Sequence, residues 1–235
     1  VKALVFPEPA PATTRTRPSV EVTASLCRLL SVPKSISTNV HKNHRFCVHL
    51  YAMDTIDLLK NMIRIPSFSR DEGAVADFLE RWMLTEGFAA RRLGNNLWME
   101  SGPADGRPTI LLNAHIDTVK PASGYTRDPF TPEIEDGCLY GLGSNDDGGS
   151  LIALLETYSR LIQKEQPYRL IFSATAEEEV SGKGGLDLIL PELGRIDFGV
   201  MGEPTGMRMA VAERGLMVLD CTAYGKSGHA ARNEG

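Results

Sequence analysis

TILLNAHID, residues 109–117, is the stretch on which the reading of this 235-residue chain turns. Its unbroken apolar run, Ile110 to Leu112, suits a strand buried on both faces, the habit of mainly parallel sheets rather than of half-solvated antiparallel ones. The run then gives way at once to polar and ionisable residues. In helix-flanked sheets ligands gather where strands end and loops begin, so residues 113–117 stand where chemistry is expected.

The segments around this stretch alternate in kind. Upstream, Asp54 can cap a helix whose apolar positions Ile56, Leu59, Met62 and Ile63 recur at helical spacing until Pro66 stops it. A second helix carries Val75, Phe78, Leu79, Trp82 and Met83 on one face, with Gly87 as its stop, and residues 97–100 read as a strand. Downstream, Leu151, Ile152, Leu154, Leu155, Tyr158, Leu161 and Ile162 mark a broad-faced helix. Residues 168–173 and 198–201 predict further strands. Such alternation predicts an α/β fold, a helix-flanked and mainly parallel sheet.

Composition sets outer bounds. A chain 42% hydrophobic and 23% charged is not wholly disordered, and a net charge of −5 does not fit a protein that tracks a phosphate backbone. The charge is unevenly spread: residues 1–52 hold seven basic and two acidic residues, which leaves −10 on the remainder. Prolines 7, 9, 11, 18 and 33 break that first segment and no apolar repeat runs through it. It is expected to be a leader, a transit peptide or a non-native upstream segment, with Met53 as initiator. Cys27, Cys47, Cys138 and Cys221 are too scattered for a disulfide framework or a metal knuckle, so reduced thiols and a cytoplasmic location are expected. No apolar run approaches the roughly 20 residues that span a bilayer.

Four motifs carry the chemistry. In extended chain His115 and Asp117 project to the same side, so the carboxylate can orient the imidazole; alone, a hydrogen-bonded histidine at a strand end is the commoner meaning. The glycine-rich Tyr140 to Gly149 leads into a helix. A dinucleotide site is disfavoured there because Asp146 falls where pyrophosphate would lie, and a P-loop because no Lys follows the glycines. That leaves a capped turn or a cation-binding Asp146. Glu177, Glu178 and Glu179 follow a buried strand; adjacent acids in extended chain point opposite ways and can divide the work, one on metal and one on water. Glu203 ends the strand at 198–201 and is uninformative alone. Together His115, Asp146, Glu179 and Glu203 offer one nitrogen and several oxygens, a set suited to Zn²⁺, with Co²⁺ or Mn²⁺ as other occupants.

In their order and spacing, LNAHIDTVKP (112–121), YGLGSNDDGGS (140–150), SATAEEEVSGKGG (173–185), VMGEPTG (200–206) and GKSGHAA (225–231) make the chain from about Met53 onward resemble the M20 family of metallopeptidases and aminoacylases. The likeness is to its acetylornithine deacetylase and succinyl-diaminopimelate desuccinylase branch. The resemblance implies a zinc-peptidase-like catalytic domain over 53–207 and the start of an inserted α+β lid or dimerisation domain over 208–235. It implies two Zn²⁺, with His115 and Glu203 on one, Glu179 on the other and Asp146 bridging them. Asp117 would orient His115, Glu178 would be the general base, and His229 would reach the substrate carbonyl of a partner subunit in a homodimer. A cis peptide is implied at Asp146-Asp147. The family also uses a later His that no residue after His229 supplies, so the chain is expected to be C-terminally incomplete. The implied reaction is hydrolysis of the amide of an N-acyl amino acid such as acetylornithine; the alternatives are a dipeptidase or carboxypeptidase, and a non-catalytic scaffold.

Overall fold

The structure, a computed structural model, describes residues 54–212 together with 221, 222 and 224. The leader 1–52, His229 and most of the lid segment lie outside them.

Helix α1 (Thr55–Ile63) opens as its sequence predicts: the Asp54 carboxylate accepts from the Asp57 amide at 3.0 Å, meeting one of the orphan N–H groups of the first turn. It buries Leu58, Leu59, Met62 and Ile63. Helix α2 (Gly73–Thr85) buries Val75, Ala76, Leu79 and Met83, and the chain leaves it through Gly87 at φ +84°, a conformation that suits glycine. Strands β1 (Arg91–Leu93), β2 (Asn96–Ser101) and β3 (Thr109–His115) follow. A hairpin of β4 (Glu133–Glu135) and β5 (Cys138–Tyr140) turns through Asp136 and Gly137, both at positive φ as a tight two-residue turn requires. Then come α3 (Gly148–Leu161), β6 (Arg169–Thr175), α4 (Leu186–Leu193) and β7 (Phe198–Met201).

Five strands form one sheet in the order β1-β2-β6-β3-β7. β3 runs parallel to β6 and to β7, through helical crossovers α3 and α4. β2 runs against β6, and β1 against β2, so the helix-flanked sheet is mixed. The cause is chain length: residues 102–108 join β2 to β3, enough to reverse direction but too few for the dozen or more that a parallel crossover needs.

Alternate side chains of the central strands face two separate cores. Leu97, Met99, Leu112, Ala114, Leu170, Phe172 and Ala174 pack with α1, α2 and α3. Trp98, Leu111 and Ile171 point the other way, against Ile189 and Leu193 of α4. Burial on both faces explains the unbroken apolar runs in β3 and β6. Phe172 is wholly buried with its ring centroid 6.2 Å from that of Tyr158, and a truncation to Ala there costs about 3–5 kcal/mol.

Candidate metal centre

The parallel strands end on the same side and deliver the ionisable residues to one place. His115 is the last residue of β3, the Glu177–Glu179 triplet follows β6 closely, and Glu203 lies just beyond β7. Asp146 precedes α3, and its peptide bond to Asp147 is cis, as the family resemblance implies.

The His115 ring is buried between two carboxylates. Its Nδ1 lies 2.9 Å from the Asp117 backbone oxygen and 3.4 Å from Asp117 Oδ1, which aims Nε2 outward, 3.1 Å from Asp146 Oδ1 and 3.9 Å from Glu178 Oε2. Burial disfavours a charged ring, yet Asp117 and Asp146 outweigh it and push its pKa up to about 12. The carboxylate field that favours a proton on this ring favours a divalent cation beside it.

Two clusters of donor atoms, each within 4.8 Å of one another, share His115: one with Glu178 and Glu203, the other with Asp146 and Glu179. Burial, followed by the charge of Asp147, pushes Glu203 up to about 8; burial, followed by that of Asp146, pushes Glu179 up to about 7. Such acids are costly to ionise together without a cation, and one imidazole with several carboxylates is a donor set that fits Zn²⁺, Co²⁺ or Mn²⁺. Of the sequence-derived candidates, His115, Asp117, Asp146, Glu178, Glu179 and Glu203 are brought together here.

The acidic triplet is not extended chain. Glu177 sits at φ +56°, Ser181 N–H donates to Glu178 O at 2.8 Å, and Gly182 N–H donates to Glu177 O at 2.8 Å, so the segment is a tight turn. Glu178 and Glu179 therefore share the site, while Glu177 points back toward the glycines and accepts from Gly184 N at 3.2 Å. A Cβ on Gly182 or Gly184 would collide with the Glu177 carboxylate, and one on Gly185 with the Ala176 backbone oxygen, which accounts for the glycines of the SGKGG run.

Four successive amides of this turn are each captured by a side chain from elsewhere. Asn96 Oδ1 accepts from Ala176 N at 2.9 Å, Glu72 Oε1 from Glu177 N at 3.2 Å, Asp117 Oδ1 from Glu178 N at 3.0 Å and Asp117 Oδ2 from Glu179 N at 3.2 Å. Ser69 Oγ–H donates to the same Asp117 carboxylate at 2.8 Å. The Asp117 backbone thus holds the histidine while its carboxylate holds the turn.

Asp147, beside Asp146, plays another part. Its Oδ2 accepts from the His115 amide at 3.2 Å, while its Oδ1 is buried with no donor among the described residues, and burial pushes its pKa up to about 7. Gly202 packs against it: a Cβ there would stand 2.7 Å from Ser150 Cβ and 3.1 Å from Asp147 Oδ2. Sequence reasoning does not reach Ser69, Glu72, Asn96 or Asp147 as parts of this site. Only the adjacency of Asp147 to Asp146 offered a signal, since the others act across 48 to 105 positions of chain.

Residues 111–215 match the model of peptidase family M20/M25/M40. A succinyl-diaminopimelate desuccinylase of Cereibacter sphaeroides is 32% identical, over 76% of this chain and 51% of its own; the same enzyme from another strain is 31% identical with the same coverage. The chain thus spans about half the length of these curated relatives. A solved M20 metallo-carboxypeptidase from Sulfolobus solfataricus is similar at 25% identity and a TM-score of 0.53, over 63% of this chain and 37% of that one. Motifs matched in order, strand ends that gather an imidazole and its carboxylates, and relatives of one kind lead to one assignment: residues 111–215 are those of the peptidase family M20/M25/M40.

Proposed function

We propose that the protein is a metal-dependent hydrolase that cleaves the amide bond of N-acyl amino acids, in the manner of an acetylornithine deacetylase. The observation that carries the reading is the His115 ring, whose Nε2 lies 3.1 Å from Asp146 and 3.9 Å from Glu178 with Glu179 and Glu203 close by. On this reading His115, Asp146, Glu179 and Glu203 would hold two Zn²⁺ ions, with Co²⁺ or Mn²⁺ as substitutes. When bound, the cations supply a Lewis acid and lower the pKa of a nearby water.

The chain's own residues do the rest. Asp117 holds the His115 ring so that Nε2 faces the cluster. Burial raises Glu178 above the usual carboxylate range, which makes it the better proton acceptor. Glu178 takes a proton from water as the oxygen attacks the amide carbonyl carbon. As the C–N bond breaks, the same carboxyl returns the proton to the leaving amine. His229 is proposed to donate to the carbonyl oxygen across a lid-mediated homodimer, in a cytoplasmic enzyme. No helix among the described residues is long and apolar enough to cross a membrane.

The likeness to a metallo-carboxypeptidase supports a peptidase as the second reading. One experiment tests both: acetylornithine, N-succinyl-diaminopimelate and dipeptides are assayed with the natural full-length protein and its Glu178→Gln variant. Turnover in Glu178→Gln should fall by about 10²–10⁴-fold with metal content unchanged. Near-parental turnover would remove Glu178 as base, and equal inertness of the parent toward every amide would remove the hydrolase.

A further inference from the structure

Glu72 is an acid that neither the metal cluster nor its own helix uses. It stands at the N-terminal boundary of α2 and makes no side-chain cap to that helix. It is nevertheless completely buried. Its Oε1 accepts from the Arg70 amide at 2.6 Å and from the Glu177 amide at 3.2 Å, while Oε2 accepts from Asn95 Nδ2 at 3.0 Å. A buried carboxylate is costly unless donors satisfy it, and here three do. One of them lies 105 positions away in the turn that carries Glu178 and Glu179.

The Glu177 amide is the link in the turn that Asp117 does not reach. Asn96 fixes the residue before it and Asp117 the two after it. Glu177 also holds the unusual backbone, at φ +56°. A non-glycine residue keeps that conformation only where its surroundings impose it. We propose that Glu72 is a positioning residue for the metal-ligand turn: by holding the Glu177 amide it keeps Glu178 and Glu179 facing His115. The proposal rests on the metal-site reading above for its effect, but not for its geometry.

The test uses Co²⁺ as probe, with its visible absorption reporting affinity and coordination, alongside hydrogen exchange at the amides of 177–179 in the metal-free protein. The variants are Glu72→Ala, Glu72→Asp, Glu72→Gln and, as a control for simple loss of stability in the same helix, Val75→Ala. Glu72→Ala should bind Co²⁺ at least tenfold more weakly and exchange the Glu177 amide at least tenfold faster. Glu72→Asp, one methylene too short to span the gap, should show the same loss while keeping its charge and fold. Glu72→Gln should recover most of the affinity, since it keeps an acceptor for Glu177 and Asn95 can turn its amide to meet the new N–H groups. Val75→Ala should stay within twofold of the parent in both readouts. Parental Co²⁺ affinity in Glu72→Asp, or losses no greater than in Val75→Ala, would overturn the proposal. If instead the parent binds Co²⁺ in a way that Glu179→Ala does not alter, the metal-site reading fails. Parental exchange at Glu177 in Glu72→Asp would then still refute the positioning role by itself.

Discussion

The turn after β6 and the loop after β7 both deliver carboxylates to His115, and they are held in opposite ways. In the turn, residues 176–179 each give their amide to a side chain from another element, so position is set by polar ties. In the loop, Gly202 N–H donates to the Asn113 backbone oxygen at 2.7 Å, and no side chain captures the Glu203 amide among the described residues. Its place is set by continuation of the β3–β7 pairing and by the close approach of Gly202 to Ser150. The difference teaches that two carboxylates of one cluster can depend on separate kinds of support. The turn is vulnerable to loss of a buried acceptor, the loop to added volume.

The largest effect should come from breaking the first kind of support. Asp117→Ala leaves the Glu178 and Glu179 amides without acceptors and removes the carboxylate beside His115 Nδ1. Metal affinity should fall by about 10–100-fold, and stability by on the order of 2–4 kcal/mol for the two stranded donors. Calorimetric zinc titration and urea unfolding measure these; an unchanged affinity would mean the turn holds itself.

Breaking the second kind should be milder and confined to one cluster. Gly202→Ala places a Cβ 2.7 Å from Ser150 Cβ and 3.2 Å from Leu154 Cδ1, an overpacking that costs about 1–3 kcal/mol. The group containing Glu203 should weaken while Asp146 and Glu179 keep their metal, so bound zinc per chain should drop by part rather than vanish. Complete loss of metal would show that turn and loop are not separately supported.

A third effect is a pH dependence that both regions share. Burial and neighbouring acids raise Glu179 to about 7 and Glu203 to about 8, above the roughly 4.3 of an unfolded glutamate. The folded chain therefore holds protons that the unfolded chain releases. The contribution of these two acids to stability is full below about pH 4.3 and is lost as pH rises through their folded values. His115, raised to about 12, acts with the same sign above its unfolded value. The metal-free melting temperature should fall from pH 5 to pH 8, and zinc should flatten the slope because a bound cation replaces those protons. A metal-free slope of opposite sign in thermal melts would contradict the crowding of acids at these strand ends.

Legibility followed the range of the cause. The Asp54 cap, the apolar faces of α1, α2 and α3 and the strands β2, β3, β6 and β7 were legible because each depends on residues within a few positions of one another. The three residues of β1, Arg91, Arg92 and Leu93, are too few to carry such a signal, and Pro191 interrupts the eight-residue α4. The β4–β5 hairpin does carry one, the Asp136-Gly137 pair. At the site, residue types and order sufficed to pick out the ionisable residues that the strand ends bring together. The extended geometry read into Glu177–Glu179 did not hold, because ties from α2, β2 and Asp117 bend that segment into a turn.

By itself the sequence determined that buried apolar runs would form strands, that helices would cover them, and that an imidazole and several carboxylates would lie at strand ends. These follow from periodicity and from the hydrophobic effect, which act locally and without direction. The tertiary structure alone decided that Glu177 would turn away while Glu178 and Glu179 faced His115, and that Glu72, Asn96 and Asp117 would hold them there. Those outcomes rest on directional hydrogen bonds between residues up to 105 positions apart, whose donors and acceptors meet only once the sheet has formed.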